Sequence, residues 1–346
     1  MILNLNLNNA SMIKHFTIPV FVPELACPFQ CVFCDQRKIS GTLKAPSLTE
    51  VNDLITKYLE TLPEENAQIE IGFFGGNFTG IPPTEQRSFL AVAQKYVDSG
   101  QVSSIRLSTR PDYISDEVLK LLKEFSVKTI ELGAQSMDDG VLIKSGRGHT
   151  VQDIVDASTL IHKYGFNLGL QMMIGLPGDS LAKSLYSAKQ IVELNPIDVR
   201  IYPTLVIKGT ELASLFREKK YVPLSLNEAV LWTKEIYRIF ETASINIIRV
   251  GLHPSEELTN SKSLIDGPYH PSFRELVLSS LWKDRFEERF EFKRNKSIII
   301  YVAPTELNYA IGYNSSNKSF LEQKFEAVKI KIDQKLFNYS FYADCY

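Results

Sequence analysis

Four cysteines stand in a chain of 346 residues, and three of them, Cys27, Cys31 and Cys34, fall within eight positions. The fourth, Cys345, is the penultimate residue. A disulfide framework spreads its cysteines to close loops, so this distribution reads as a ligand set kept reduced. Three thiolates at C-x3-C-x2-C do not close a tetrahedral zinc site without a distant fourth ligand, for which Cys345 or a histidine would have to serve. They can hold three irons of a cubane cluster and leave one iron open to an outside ligand. Three plain buried thiols are the non-chemical reading of the same residues.

A ligand set needs a frame, and the flanking pattern supplies one. From Phe16 to about Val250, short β-branched or aromatic runs alternate with amphipathic segments. Strands are expected at Thr17–Val22, Gln68–Phe74, Ser104–Thr109, Lys128–Ala134, Asn167–Ile174, Asp198–Pro203 and Asn246–Val250. Ser47 with Glu50, Thr150 with Asp153 and Ser225 with Glu228 have capping-box spacing, and Ser115 and Asp179 are placed as further N-caps. Near-continuous apolar strands separated by helices predict a parallel sheet covered on its outer face. Repetition of that unit predicts an α/β fold, a partial (β/α)6 barrel of the TIM type, with a doubly wound sheet as the alternative. In such barrels the chemistry collects at the C-terminal ends of the strands. Here those ends carry the cysteine loop, Gly75-Gly76-Asn77-Phe78, Ser108–Asp112, Gly133–Ser136, Gly175–Gly178 and Tyr202-Pro203-Thr204.

Composition narrows the class further. At 44% hydrophobic and 23% charged residues the chain is of average globular type, which excludes a disordered, collagen-like or coiled-coil protein. Thirty-eight basic against 40 acidic side chains give a net charge of −2, so any polyanion binding has to be local. The N-terminus alternates apolar residues with asparagine and lacks the pattern of a signal peptide, and no apolar run is long enough to span a bilayer. A cytoplasmic location without membrane contact is therefore expected. Past Val250 the pattern breaks at Gly251, His253-Pro254, Gly267-Pro268 and His270-Pro271. The expected division is a tail at 1–13, the barrel at 14–255 and a small α/β domain at 256–346.

The cysteine segment, with aromatic Phe33 directly before the last cysteine, resembles the cluster loop of the radical S-adenosylmethionine (SAM) superfamily. The resemblance covers most of residues 14–255. It implies that Cys27, Cys31 and Cys34 bind a [4Fe-4S] cluster whose fourth iron takes the amino and carboxylate groups of SAM. Reduction, from a donor such as flavodoxin or ferredoxin, then cleaves SAM to methionine and a 5′-deoxyadenosyl radical that abstracts hydrogen from the substrate. Gly75 and Gly76 stand where the family's glycine pair meets the SAM amino group. Asn77 replaces the glutamate frequent there, so contact through its backbone carbonyl is expected.

Four further stretches, Ser108–Tyr113, Glu131–Ser136, Ile174–Asp179 and Arg200–Glu211, resemble the Elp3-like branch, whose best-known member modifies wobble uridine in tRNA. On this resemblance Phe33, Gly75, Gly76, Asn77, Ser108, Arg110, Gln135, Gly175 and Leu176 belong to the SAM site. Arg110 would pair with the SAM carboxylate and Gln135 would bond the ribose hydroxyls. The implied substrate is a base of tRNA or another RNA. A small-molecule substrate, as in the coproporphyrinogen oxidase-like branch, and a non-catalytic RNA-binding or cluster-carrying protein are the alternatives. The Elp3 type also carries an acetyltransferase domain. The 91 residues from 256 to 346 hold no Arg/Gln-x-x-Gly-x-Gly/Ala loop, so acetyl transfer is not expected.

In that segment, Ile298–Val302 reads as a strand, Pro304–Ala310 as a short helix, Lys318–Phe325 as a helix and Ala327–Ile332 as a strand. The order resembles a KH RNA-binding core of the bacterial type, in which a Gly-x-x-Gly loop meets the RNA backbone. The loop here is Gly312-Tyr313-Asn314-Ser315, without the second glycine, and a plain α/β cap is the alternative. His149, His253 and His270 read as structural, with His253 the first choice if one of them acts. Tyr202 is placed to face substrate, and Cys345 reads as a leftover thiol on a tail.

Overall fold

A computed structural model describes residues 14–22, 31–35, 44–63, 66–252, 263–290 and 296–346. In chain order the first part runs β1 (Lys14–Phe21), α1 (Leu48–Leu59), β2 (Ala67–Phe74), α2 (Pro83–Asp98), β3 (Ser104–Thr109), α3 (Asp116–Lys123), β4 (Val127–Gln135), α4 (Asp139–Lys144), α5 (Val151–Lys163), β5 (Asn167–Ile174), α6 (Leu181–Glu193), β6 (Asp198–Pro203), β7 (Val206–Ile207), α7 (Glu211–Arg217), α8 (Leu226–Thr242), β8 (Asn246–Val250) and β9 (Leu264–Asp266). All seven expected strands join one parallel sheet in the order β1-β2-β3-β4-β5-β6-β8.

Strand side chains alternate between two faces, and here the two faces differ in chemistry. Ile69, Ile71 and Phe73, Ile105 and Leu107, Ile130 and Leu132, and Leu168 and Leu170 are buried toward the helices and form the main core. Their neighbours Glu70, Arg106, Thr129, Gln171 and Arg200 line a cavity of about 1120 Å³. Its wall takes residues from all seven strands, so the sheet curls around it as a half-barrel. The expectation of near-continuous apolar strands is corrected by this alternation. A closed barrel fills its interior with aliphatic layers, whereas an open one leaves the inner face to polar groups.

The helices start where the capping pattern places them. Ser47, Thr150 and Ser225 each accept from the third residue of their helix, whose carboxylate returns to the cap amide. Ser115 caps α3. At α6 the cap is Ser180 and not Asp179, whose carboxylate turns back instead, accepting from Gly175 N at 2.9 Å and from Ser184 Oγ at 2.8 Å.

The second part contains α9 (Phe273–Arg289), β10 (Ser297–Val302), α10 (Leu307–Ile311), α11 (Ser316–Glu322), β11 (Ala327–Ile332) and β12 (Phe341–Cys345). Its sheet runs β11-β10-β12, with β11 parallel and β12 antiparallel to β10. Cys345 is therefore a strand residue opposite Ile298 rather than part of a loose tail. Trp282 and Phe286 of α9 join Ile298, Ile300, Val302 and Leu321 in a separate core, while Phe273, Val277, Leu278 and Leu281 of the same helix belong to the main one. One helix thus serves both. Among the described residues no helix is long and apolar enough to cross a membrane.

Candidate active site

Cys31 is buried and Cys34 half-buried on a tight turn in which the Cys34 amide donates to the Cys31 carbonyl at 2.9 Å. The turn is pinned from two sides. The Val32 amide donates to Ser145 O at 3.1 Å, and the Leu212 amide donates to Val32 O at 2.7 Å. Val32 and Phe33 pack with Val141, Leu176 and Leu212, so the turn sits on a small apolar bed. Cys31, Phe33 and Cys34 all line the cavity. Cys27 and His253 lie outside the described residues.

Around this turn the strand ends supply bare backbone and buried polar groups. Gly75 and Gly76 follow β2 at φ of 107° and 138°, a region that side chains with a Cβ avoid, and both line the cavity. Gln135 ends β4 at φ 67°, and its buried Oε1 has no hydrogen-bond partner among the described residues. A buried amide oxygen left so is a marker for a ligand. Ser108 also faces the cavity, receiving Gln171 Nε2 at 3.3 Å.

Arg110 lines the cavity too, but its guanidinium makes a two-pronged pair with Asp112 at 3.0 and 2.9 Å and donates to Arg147 O at 2.7 Å. Asn77, Gly175 and Leu176 stand behind the wall. Asn77 Oδ1 accepts from Thr109 Oγ1 at 2.6 Å and ties the ends of β2 and β3 together, and its carbonyl accepts from the Gly80 amide. Gly175 O accepts from the buried Tyr221 hydroxyl at 2.6 Å.

Sequence reasoning missed Arg147. This buried side chain donates through Nη2 to Gly133 O at 2.7 Å and through Nη1 to Cys31 Sγ at 3.3 Å, and its Nε has no partner among the described residues. A guanidinium is thus bonded to a cysteine of the turn. The legible signal was Gly146-Arg147-Gly148, whose two glycines take φ of 64° and 75° and turn the arginine inward. His149 next to it bonds Ala134 O at 3.3 Å. Burial, helped by Arg147 and Arg110, pushes its pKa down to about 3, so the ring is neutral.

A charged network lies deeper in the half-barrel. Arg106 meets Asp198 at 2.5 Å, Glu70 at 3.2 Å and Glu131 at 3.7 Å, and Arg200 meets Glu131 at 2.8 Å. Gln171 also donates to Glu131. Burial alone would raise the Glu131 pKa, but Arg200 and Arg106 outweigh it and hold the carboxyl below its ordinary value. Gly169 leaves room for these groups, since a Cβ there would lie 2.6 Å from Asp198 Oδ1.

The model of the radical SAM superfamily matches residues 24–185, and that of the radical SAM C-terminal domain matches residues 196–283. The chain belongs to the radical SAM superfamily of enzymes. An uncharacterized protein of Methanocaldococcus jannaschii is 30% identical over 228 residues, covering 63% of this chain and 69% of that protein. A tRNA uridine(34) acetyltransferase of Dehalococcoides mccartyi is 24% identical over 239 residues, 60% of this chain. The chain spans 52% of that relative's length. The archaeal Elp3 of Methanocaldococcus infernus with an N-terminal deletion shares the fold at a TM-score of 0.63 and 21% identity, over 81% of this chain and 64% of that one.

Proposed function

We propose that the chain binds a [4Fe-4S] cluster on Cys27, Cys31 and Cys34 with SAM beside it, and modifies a base of tRNA or another RNA. One observation carries the SAM site. Cys31, Cys34, Gly75, Gly76 and Gln135 all line the same cavity, and the buried Gln135 oxygen lacks a partner. The donor set fits the group, with soft thiolates for iron, bare glycine backbone for a close approach and polar side chains for a zwitterion. When bound, the cluster and SAM supply the 5′-deoxyadenosyl radical that takes hydrogen from the substrate.

The chain's own residues do the positioning. Arg147, already at the cysteine turn, is the cation for the SAM carboxylate, and Arg110, locked to Asp112, fixes the Arg147 backbone. Gln135 offers its oxygen to a ribose hydroxyl. Asn77 fixes the Gly75-Gly76 turn against β3. The apolar bed under Phe33 keeps water from the back of the cysteine loop. Tyr202, half-buried on the cavity wall, faces the substrate side.

Support for an RNA substrate comes from the tRNA-acting relative and from the second part of the chain, proposed as the docking domain. The outer face of its sheet places Tyr301 against Tyr342, with ring centroids 4.7 Å apart, and register puts Lys331 beside Tyr301 and Lys329 one step along. Aromatic rings flanked by cations on an open sheet suit single-stranded RNA.

Anaerobic reconstitution tests the enzyme reading. It is expected to give about four irons per chain and reductive release of 5′-deoxyadenosine, and an intact cluster that leaves SAM whole sinks it. Mass spectrometry of nucleosides from cells lacking the gene tests the substrate. A missing modified base is the expected result, and an unchanged nucleoside profile rejects RNA.

A further inference from the structure

We infer that Arg147 has a second task besides the SAM carboxylate, which is to raise the reduction potential of the cluster by placing positive charge and a hydrogen bond at the Cys31 sulfur. The inference rests on the cluster site of the proposed function. A buried guanidinium is costly unless a negative group answers it. Arg147 is only 7% exposed, and no carboxylate among the described residues is paired with it. Asp112, the acid of this neighbourhood, is held by both prongs of Arg110. The side-chain partners of Arg147 are Gly133 O at 2.7 Å and Cys31 Sγ at 3.3 Å. Of these two only the sulfur can carry a negative charge, as it does when it holds iron.

The fold builds this contact from one short loop. Ser145 O accepts from the Val32 amide at 3.1 Å, so the loop that carries Arg147 also holds the backbone of the cysteine turn. The Arg147 amide donates to Leu142 O at 3.0 Å, and Gly133 leaves space for the guanidinium, since a Cβ there would lie 3.3 Å from Nη2. Cys31 is itself buried on the apolar bed of Val32 and Phe33, where little water is present to screen a charge. Each electron taken up by an iron–sulfur cluster adds one negative charge. A fixed cation with an N–H on a ligating sulfur stabilises the reduced form more than the oxidised one, and the potential rises. The electron comes from a low-potential one-electron donor, and Arg147 itself neither gains nor loses one. The two tasks fall on different atoms. Nη1 serves the sulfur, and Nε, which has no partner among the described residues, is left for the carboxylate.

The test uses the full chain with its cluster reconstituted and no SAM added, so the carboxylate has no part in the result. A redox titration followed by the EPR signal of the reduced cluster compares wild type with Arg147→Met and Arg147→Lys. Methionine keeps the bulk and removes both charge and donors. At one poised potential the ratio of reduced to oxidised cluster is expected to be about tenfold lower in the Met variant, the worth of one charged hydrogen bond. For one electron that is a midpoint lower by about 59 mV. The Lys variant, which keeps the charge and loses the planar fork, falls less. A Met variant with an intact cluster and the wild-type midpoint overturns the inference. A second measurement needs no substitution and so decides the matter even if the Met variant assembles no cluster. Wild-type chain labelled with nitrogen-15 arginine is expected to show a nitrogen-15 coupling in pulsed EPR of the reduced cluster, and absence of that coupling overturns the inference. Wild type that takes up no iron rejects the proposed function and the inference with it. An intact cluster with the expected shift that leaves added SAM whole rejects the enzyme reading and keeps the role of Arg147.

Discussion

At the scale of single residues, the cysteine turn is bonded by a side chain from the short loop between α4 and α5. Arg147 is held between two glycines, and its two terminal nitrogens reach Gly133 O and Cys31 Sγ. Arg147→Gln keeps a donor of similar reach but removes the charge. SAM affinity of the reconstituted enzyme should drop about tenfold or more with the melting temperature little changed, as equilibrium dialysis and a thermal melt will show. His149 makes a different prediction. Its folded pKa of about 3 lies below the unfolded value near 6.5, so only the unfolded chain takes up this proton between those limits. Stability from this group is complete above pH 6.5 and declines as pH falls, by at most about 1.4 kcal/mol per pH unit. Urea titrations from pH 7 to 5 should show a slope shallower by up to one proton in His149→Gln, and an unchanged slope rejects the assignment.

At the scale of elements, strands and caps were readable because each rests on local chemistry. Three capping boxes formed where their spacing put them, and seven strands appeared within a few residues of their expected bounds. The inner face was not read, although its signal was present. Glu70, Arg106, Glu131, Gln171 and Arg200 alternate with aliphatics at period two, and only the curling of the sheet tells that this polar face is enclosed. Asp179 looked like a cap because sequence cannot say which of two adjacent polar residues turns outward. Of the residues that line the cavity, Cys31, Cys34, Gly75, Gly76 and Gln135 were legible beside strand ends, while Arg147 came from a loop without periodicity. Gly169 tests the enclosed network, since any side chain there meets Asp198 and Glu131. Gly169→Val should lower stability by about 1–3 kcal/mol in chemical denaturation, whereas Ser225→Ala, which removes one exposed cap, should lower it by about 1 kcal/mol.

At the scale of the whole molecule, α9 couples two cores, with Phe273 and Val277 in one and Trp282 and Phe286 in the other. Trp282 also donates from Nε1 to the buried Glu306 at 2.9 Å. Trp282→Ala should therefore lower stability by about 3–5 kcal/mol, and the second part should lose structure first, seen as early loss of amide protection in β10 and β11 by hydrogen exchange. On the outer face of the same sheet, Tyr301→Ala with Tyr342→Ala should weaken retention of tRNA without altering reductive SAM cleavage, read by filter binding beside 5′-deoxyadenosine release. Equal binding by the double variant removes this face from RNA docking.

Among the described residues the sheet stops at β8, and that has a consequence for the medium in which a reaction there runs. A closed eight-stranded barrel would exclude both substrate and solvent from its centre. With one strand fewer, the centre becomes a chamber whose walls join fixed charges such as Arg106 and Arg200 to apolar side chains such as Phe74, Met173 and Leu205. A ligand that replaces water there exchanges one polar solvent for another that does not have to reorganise. The chamber therefore suits entrants that pair an apolar surface with charged or hydrogen-bonding groups, and it does so by its architecture rather than by any single contact.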